Sequence, residues 1–225
     1  MLKMHKSTLS AIASIGLLPV SSLVSADLIM NGNFSSGNVG FASDYILAGV
    51  NSEEGQYTVG TNPRDFNNGA ADFGDHTSGT GPMLIVNGSP APSQAAWSQT
   101  ITVTPFTDYL FSAWAVSWGG GGTDPSPSTL QLFIDGVAVG SVFGVPSTNG
   151  EWEQMLVPWA SGAGDSLLLT IVDTNTTRNG NDFALDDINV ANVPAPNIAL
   201  LLLAGFAPLF PYLRNKHGIR RTEWE

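Results

Sequence analysis

The sequence predicts an all-β chain that folds as an antiparallel two-sheet sandwich, with a signal peptide before it and a membrane helix after it. Short strand-like runs, separated by turns rich in glycine and proline, fill residues 27–192. No part of that region shows a sustained helical period with caps at its ends. Several short strands at this spacing, in a chain of this length, favour a sandwich.

Seven runs in which β-branched, aromatic and other apolar residues predominate predict strands. They cover residues 83–86, 97–105, 109–118, 129–143, 151–159, 166–174 and 182–190. Within 129–143, the pair Asp135-Gly136 stands between apolar residues, and this pair favours a tight two-residue hairpin turn. We therefore expect that run to form two paired strands.

The N-terminus has the features of a secretory signal peptide. Lys3 and Lys6 precede the apolar residues 9–20, and a run of small residues ends at Ala26. We expect cleavage after Ala26, so that residues 1–26 are removed and the exported chain begins at Asp27. An uncleaved anchor or a buried helix is the alternative, although the apolar core is short for a membrane span.

The C-terminus combines an apolar stretch with a basic cluster. Residues 193–213 carry no charge, and four of the next eight residues are Arg or Lys. A helix of about 20 apolar residues crosses a hydrocarbon core of about 30 Å. We predict a membrane helix built on the apolar span 198–213, with the basic tail in the cytoplasm and the acidic domain outside.

The motif in front of this span, Val193-Pro194-Ala195-Pro196, together with the apolar and basic segments, resembles the PEP-CTERM sorting signal. The resemblance covers residues 193–225, although Ala195 stands where that family usually has Glu. It implies export by a Gram-negative bacterium, tethering in the inner membrane and sorting by an exosortase. The final place would be the cell surface or an extracellular exopolysaccharide matrix. An ordinary single-pass anchor is the alternative.

Charge and cysteine content narrow the possible partners. Residues 27–192 contain two arginines, no lysine and seventeen Asp and Glu residues, a net charge of −15. Such a surface repels phosphate backbones, which argues against nucleic acid, and it attracts hard cations such as calcium. The chain has no cysteine, so it has neither disulfides nor thiolate metal sites.

Three stretches of the domain resemble the galactose-binding-like jelly-roll group. LIMNGNFSSG (28–37) and NDFALDDINV (181–190) are similar to the opening and closing strands of jelly-roll carbohydrate-binding modules. DHTSGTGPMLIVNGS (75–89) resembles a stretch of MAM domains. The resemblance implies a jelly-roll sandwich with adjacent first and last strands, and a domain that binds carbohydrate.

The same resemblance implies a structural calcium where the first and last strands meet. The candidate ligands are Asn33 and Ser35 from the first segment and Asp186 from the last, with Asp187 and Asp75 in reserve. Strand alternation predicts that Asp186 shares the inward face of Ile188 and Val190. A solvated or hydrogen-bonded Asp pair at a strand end is the alternative.

Two tryptophans predict a sugar-binding face. In 109–118, alternation places Trp114 and Trp118 on one face of the strand, about 13 Å apart at roughly 3.3 Å per residue. If both were exposed, their rings could stack on sugar rings. The alternative is that they fill the core, as we expect of Trp97, Trp152 and Trp159.

The domain offers little for catalysis. His76 is its one histidine, so a clustered zinc site or a Cys–His pair is excluded, and we predict no catalytic residues and no enzyme activity. We predict a non-catalytic carbohydrate-binding domain of a surface or biofilm-matrix protein. Its partners would be an exopolysaccharide or other glycan, an exosortase and the membrane. The alternatives are a structural or adhesive protein without a sugar site, and a jelly-roll polysaccharide hydrolase.

Overall fold

Ten strands and one short helix follow one another along residues 27–194, the part of the chain that the computed structural model describes. The strands are β1 (Ile46–Leu47), β2 (Gln56–Gly60), β3 (Met83–Asn87), β4 (Ala95–Thr102), β5 (Asp108–Ser117), β6 (Thr129–Ile134), β7 (Val137–Gly144), β8 (Glu153–Ala160), β9 (Ser166–Asp173) and β10 (Phe183–Asn192). The helix α1 (Pro63–Phe66) lies between β2 and β3.

The strands form two sheets. One has six strands in the order β1-β2-β3-β10-β5-β8, and the other has four in the order β4-β9-β6-β7. Neighbouring strands pair antiparallel, except β1 and β2, which are parallel. The predicted all-β class and antiparallel two-sheet sandwich are thus confirmed. Each predicted run contains a strand, whereas β1, β2 and α1 were not predicted.

The predicted hairpin is present at Asp135-Gly136. The strand β6 ends at Ile134 and β7 begins at Val137. Both turn residues have positive φ, 48° at Asp135 and 79° at Gly136. Positive φ at both central positions matches the twist of the two strands that such a turn joins.

The main core lies between the two sheets. The side chains of Trp97, Phe111, Leu132, Ile171 and Phe183 are fully buried there. Trp97 and Trp159 belong to this core as predicted, with 0% and 8% of their surface exposed. Trp152 does not, and it lies on the outer face of the six-stranded sheet instead.

The first segment of the chain runs beside the last strand, as the resemblance implied. The Leu28 N–H donates to the Val190 carbonyl at 3.1 Å, and the Ile188 N–H donates to the Gly32 carbonyl at 2.9 Å. A Cβ atom at Gly32 would lie 1.9 Å from the Ile188 carbonyl oxygen, so only glycine allows this approach.

A second, smaller apolar cluster covers part of the outer face of the six-stranded sheet. Phe66 and Ala70, from the segment between β2 and β3, pack there with Met83, Ile85, Val116, Trp118 and Ala184. Farther along the same face, Leu156 is 53% exposed. The outer face is therefore covered at one end and open at the other, and the candidate site lies at the boundary.

Candidate ligand-binding site on the outer sheet face

A β-bulge in β10 creates the site. Residues 183–185 of β10 pair with β3 on one side, whereas the first segment of the chain replaces β3 beside Ile188 and Val190. On the other side β10 pairs with β5 throughout, and the register shifts between Asp186 and Asn189. Asp187, at the bulge, has a φ of 47°, which is uncommon for a residue other than glycine.

The bulge overturns the predicted orientation of Asp186. Asp186 lies directly opposite Trp114 on β5, and it follows the outward-facing Ala184 in the alternation. Ile188 and Val190, beyond the extra residue, face the core between the sheets. The prediction that Asp186 shares their face is therefore wrong, because one inserted residue reverses the alternation.

The loop that begins with Asp75-His76-Thr77 docks on this bulge. The His76 backbone N–H donates to Asp186 Oδ2 at 3.0 Å. The imidazole Nδ1 of His76 lies 2.9 Å from Asp187 Oδ2, and the Thr77 hydroxyl donates to the same oxygen. Two adjacent carboxylates of the last strand therefore hold two adjacent residues of a distant loop.

The loop is also closed on itself, through Asp75. Its carboxylate accepts the backbone N–H groups of Ser78 at 3.0 Å and Gly81 at 2.7 Å, and the Ser78 hydroxyl at 2.9 Å. Burial alone would raise the pKa of Asp75, but these hydrogen bonds outweigh burial and keep the pKa below its usual value. A charged Asp75 therefore shapes the loop that presents His76.

His76 and three aromatic side chains form a cluster. The His76 ring stacks on the indole of Trp114, with centroids 3.7 Å apart and an interplanar angle of 15°. The Trp152 ring lies edge-on to His76 at 5.9 Å, and Phe73 lies edge-on to Trp152 at 6.1 Å. Trp114 and Trp152 are partly exposed, and the His76 side chain is 26% exposed. These side chains form an aromatic patch that solvent can reach.

Polar groups border this aromatic patch, which we define as Phe73, His76, Trp114 and Trp152. Gln154 lies opposite Trp114 on β8 and is exposed. The Asp187 side chain is 29% exposed. An exposed amide and an accessible carboxylate beside aromatic rings can donate to and accept from the hydroxyl groups of a ligand.

Asp186 itself is out of reach of a ligand. It is 1% exposed, and burial, together with the charges of Asp187 and Asp75, raises its pKa to about 6. The N–H groups of Asp187 and His76 oppose this shift. These contacts support an anchoring role for Asp186, which lies beneath His76 and holds the loop that begins at Asp75.

The predicted pairing of Trp118 with Trp114 in one exposed face is wrong. Both residues are on the outer face, as alternation predicted, but Trp118 is only 1% exposed. Its indole N–H lies 3.0 Å from the carbonyl oxygens of Val86 and Phe183, and Phe66 packs edge-on against its ring. Trp118 belongs to the apolar cluster at the covered end of the sheet. The second accessible tryptophan, beside Trp114, is Trp152.

The structure brings two of the five predicted calcium ligands together. Asn33 and Asp187 line one open cavity of about 360 Å³, together with Asp27. The other three predicted ligands do not line this cavity. Asp75 closes its own loop, and Asp186 is buried below His76. Ser35 is exposed, and its N–H donates to Asn33 Oδ1 at 3.2 Å. Within residues 27–194, no three acidic or histidine side chains are grouped closely enough to hold a metal.

The oxygen donors of Asn33 and Asp187 suit a hard cation, with backbone carbonyls or water to complete its shell. Calcium at this place stays a prediction, and it rests on these two residues.

The sequence pointed only indirectly to the other members of the site. The motif Asp75-His76-Thr77 is visible in it, but His76 had no predicted partner because Asp187 is 111 positions away. Trp152 was expected in the core because a tryptophan in a sandwich usually is.

Several predicted segments lie outside the described residues: the signal peptide 1–26, Ala195 and Pro196 of the sorting motif, the apolar span 198–213 and the basic tail. Of the motif, Val193 donates its N–H to the Asp108 carbonyl at 2.8 Å, directly after β10. Between residues 27 and 194, no helix has the length and apolar character needed to cross a membrane.

Comparison with known proteins bears on the fold. No family model matches the chain, and no curated protein matches it. Among solved structures, a CBM22-1 xylan-binding domain from Paenibacillus barcinonensis is similar, with 16% identity, a TM-score of 0.50 and coverage of 77% of this chain and 98% of that one. The domain has the jelly-roll fold of carbohydrate-binding modules.

A cyclase from Fischerella sp. TAU, solved in complex with an indole compound, is also similar, with 11% identity and a TM-score of 0.55. The match covers 76% of this chain and 100% of that chain. The same fold therefore occurs in binding modules and in enzymes, so the function of this chain has to be argued from its own site.

Proposed function

We propose that this protein is an exported surface or matrix protein whose jelly-roll domain binds a glycan without catalysing a reaction. The observation that carries the proposal is the aromatic patch formed by Phe73, His76, Trp114 and Trp152 on the outer sheet face. Partly exposed indoles offer apolar faces and edges to the C–H groups of sugar rings, and polar groups beside them fix the orientation.

The patch is held in place before any ligand arrives. The stacked His76 ring fixes one face of Trp114, and Asp187 fixes His76. Trp152 is held between Phe73 and His76. Aromatic side chains that do not have to be ordered on binding lose less entropy, which favours affinity.

The contacts of the carboxylates support binding rather than catalysis. Asp186 is buried, and Asp187 already accepts hydrogen bonds at one oxygen from His76 and Thr77. A hydrolase that uses two carboxylates needs both of them beside the scissile bond. The accessible carboxylate in contact with His76 is that of Asp187, and its hydrogen bonds to the loop support a binding site.

The two ends of the sequence support export and sorting. The signal peptide would deliver the acidic domain across the inner membrane, and the apolar span 198–213 with its basic tail would hold it there. An exosortase would then act at residues 193–196 and release the domain to the surface or to an exopolysaccharide matrix. The glycan that the domain binds would be part of that matrix.

Binding can be measured by affinity electrophoresis of the full chain, purified in detergent, in gels that contain a polysaccharide. Suitable probes are xylan, which the similar Paenibacillus domain is described as binding, and the exopolysaccharide of the source cells. We expect retardation that is lost in Trp114→Ala and Trp152→Ala. Phe106→Ala, which removes an aromatic ring that is 82% exposed in the turn between β4 and β5, is the matched control.

If no polysaccharide retards the wild-type chain, the domain is a structural or adhesive unit without a sugar site. If the chain shortens the polysaccharide, the domain is a hydrolase and the non-catalytic proposal is wrong.

A further inference from the structure

The chain leaves the domain beside the turn that joins β4 to β5. The strand β10 ends at Asn192, and the N–H of the next residue, Val193, donates to the Asp108 carbonyl at 2.8 Å. Asp108 is the first residue of β5. The β4–β5 turn, residues 103–107, therefore lies next to the point from which the predicted membrane anchor continues.

Hydrogen bonds fix this turn against the turn between β8 and β9. The Phe106 N–H donates to the Gly162 carbonyl at 2.6 Å, and the Thr107 N–H donates to the Ser161 hydroxyl at 3.0 Å. The same hydroxyl donates to the Thr104 carbonyl at 2.7 Å. The backbone on both sides of Phe106 is therefore held in place. We call the region formed by these two turns and the chain exit the anchor end, and it comprises residues 103–107, 161–165 and 193–194.

Phe106 combines two unfavourable features at the anchor end. Its side chain is 82% exposed, so the domain gains little from burying the ring. Its φ is 54°, in the left-handed region, which is strained for a bulky side chain and would suit glycine or asparagine better. Neither feature improves packing inside the domain. Such a residue, on a turn whose backbone is fixed, indicates a contact with something outside the domain.

The length of the chain beyond the domain indicates what this contact is. The predicted apolar span begins at Ile198, four residues after Pro194, the last described residue. Four residues reach at most about 14 Å, since a fully extended chain covers no more than about 3.6 Å per residue. The headgroup layer next to the hydrocarbon core takes up roughly 5–8 Å of that distance. A chain with this span in a membrane therefore keeps its anchor end at the membrane surface.

Charge at the anchor end favours a bilayer without net charge. Asp165 is exposed in the β8–β9 turn, and Asp108 is exposed directly after the β4–β5 turn. The two turns contain no lysine or arginine. Anionic lipid headgroups would be repelled by these carboxylates, so attraction has to come from the apolar ring of Phe106. A zwitterionic surface fits this combination.

We propose that Phe106 inserts into the headgroup region of a zwitterionic bilayer while the chain is tethered, so that the domain stands on its anchor end. The inference rests on the export and tethering in the proposed function. Apolar side chains of surface-bound segments lie about 5–10 Å deep at this boundary. Trp114 is six residues beyond Asp108 along β5, or about 20 Å at roughly 3.3 Å per residue. The aromatic patch is thus held clear of the lipid, where a glycan can reach it.

Site-specific fluorescence of the full chain in phosphatidylcholine vesicles tests the proposal. The chain has no cysteine, so Thr104→Cys, at an exposed position of the same turn, accepts a single environment-sensitive label. Val50→Cys is the matched control, since Val50 is 70% exposed. It lies at the opposite end, because the neighbouring Asn51 side chain accepts a hydrogen bond from Asn87, where β3 ends beside the start of β10. We expect quenching by spin-labelled lipid to be several-fold stronger at position 104 than at position 50.

A second variant isolates the contribution of the ring. Phe106→Asp, combined with the label at position 104, should reduce the quenching several-fold and shift the emission towards that of a label in water. The exposed side chain of Phe106 makes this variant compatible with folding, and an unchanged urea midpoint confirms that the domain is intact. The variant should still float with the vesicles, because the apolar span holds it.

The proposal is overturned if the labels at positions 104 and 50 are quenched equally, or if Phe106→Asp leaves the quenching at position 104 unchanged. A label at position 104 that responds to polysaccharide and not to lipid would make the anchor end part of a glycan site, and the membrane contact would be wrong. If the full chain does not float with the vesicles at all, the tethering in the proposed function fails and this inference fails with it. Flotation without quenching removes this inference alone.

Discussion

The imidazole of His76 lies almost parallel to the indole of Trp114, with 3.7 Å between the ring centroids, while its Nδ1 lies 2.9 Å from Asp187. One side chain thus connects an aromatic residue of β5 to a carboxylate at the bulge of β10. Neither residue is near His76 in sequence. The position of the aromatic patch therefore depends on His76.

Replacing His76 should affect both stability and binding. In His76→Ala the backbone bond to Asp186 remains, but the stack on Trp114 and the contact with Asp187 are lost. We expect a loss of about 1–3 kcal/mol in the free energy of unfolding, measured by urea denaturation. Glycan binding should weaken as well, because Trp114 loses its support. Equal affinity in His76→Ala and wild type would show that the stack does not organise the site.

Substitution of Trp114, in β5, and of Trp118, directly after β5, should separate the effect on stability from the effect on glycan binding. Trp118→Ala should cost about 3–5 kcal/mol, since it leaves a large cavity and removes the indole N–H that lies 3.0 Å from two carbonyl oxygens. Trp114→Ala removes a partly exposed ring and should cost much less, yet abolish glycan binding. Urea unfolding and affinity electrophoresis of both variants check this. If Trp118→Ala abolished glycan binding and Trp114→Ala instead lost more stability, Trp118 would belong to the binding site and Trp114 to the core.

Stability should rise as the pH is lowered from 8 to 5. Burial raises the pKa of Asp182 to about 7 and those of Asp173 and Asp186 to about 6, from an ordinary value of 3.8. The folded state then holds protons that the unfolded state releases, so stability is lost as pH rises through these values. A tenfold difference in proton affinity between the folded and unfolded states corresponds to about 1.4 kcal/mol, so the total effect is at most a few kcal/mol.

The measurement is the midpoint of urea unfolding at several pH values, in a chelator, so that no cation competes with the protons. Asp182→Asn should reduce the slope of stability against pH between pH 5 and 7, where Asp173 and Asp186 still contribute, and Asp165→Asn should leave the slope unchanged. Below pH 4 the trend reverses, because Asp75, whose pKa is lowered, gains its proton and its hydrogen bonds weaken. A flat wild-type profile from pH 8 to 5 would contradict the prediction.

Removal of calcium from the predicted site at Asn33 and Asp187 should lower the melting temperature. An ion that binds only the folded state stabilises it by mass action. Asn33→Ala should reduce the chelator effect, whereas Asn68→Ala, an exposed asparagine elsewhere, should not. Identical melting curves for wild type and Asn33→Ala, with and without calcium, would remove this site.

Deletion of residues 193–225 should release the protein from the membrane fraction, since the predicted anchor is lost. Cell fractionation checks this, and mass spectrometry of the mature C-terminus shows whether sorting includes cleavage near residues 193–196. Full-length chain free in the cytoplasm would refute export. An intact C-terminus on all surface protein would leave a plain anchor.

Two predictions from local sequence were confirmed: the division of the β5 side chains between two faces, and the hairpin turn at Asp135-Gly136. Both are local properties, set by the period of a strand and by the backbone needs of a turn. The burial of Trp118 could not be predicted in the same way. It depends on Phe66 and Ala70, about 50 positions earlier, which reach the outer face through a segment without strand periodicity.

The orientation of Asp186 could not be predicted from local sequence either, because of the bulge in β10. The sequence of 182–190 predicts unbroken alternation, and one extra residue at Asp187 reverses the face of Asp186. The cause lies outside the strand, where the first segment of the chain replaces β3 as its neighbour. The site at His76 forms at this change of neighbours, which is why its residues come from four distant parts of the sequence.

The position of β10 also determines how the domain withstands mechanical load. The predicted tether begins directly after β10, and this strand is paired with β5 over its length and with β3 or the first segment on the other side. A pull on the tether therefore acts along a central strand, so that its cross-strand hydrogen bonds are loaded together in shear rather than opened one at a time as at a sheet edge. A glycan-bound domain dragged by flow would transmit force to the envelope through a strand that has hydrogen-bonded neighbours on both sides.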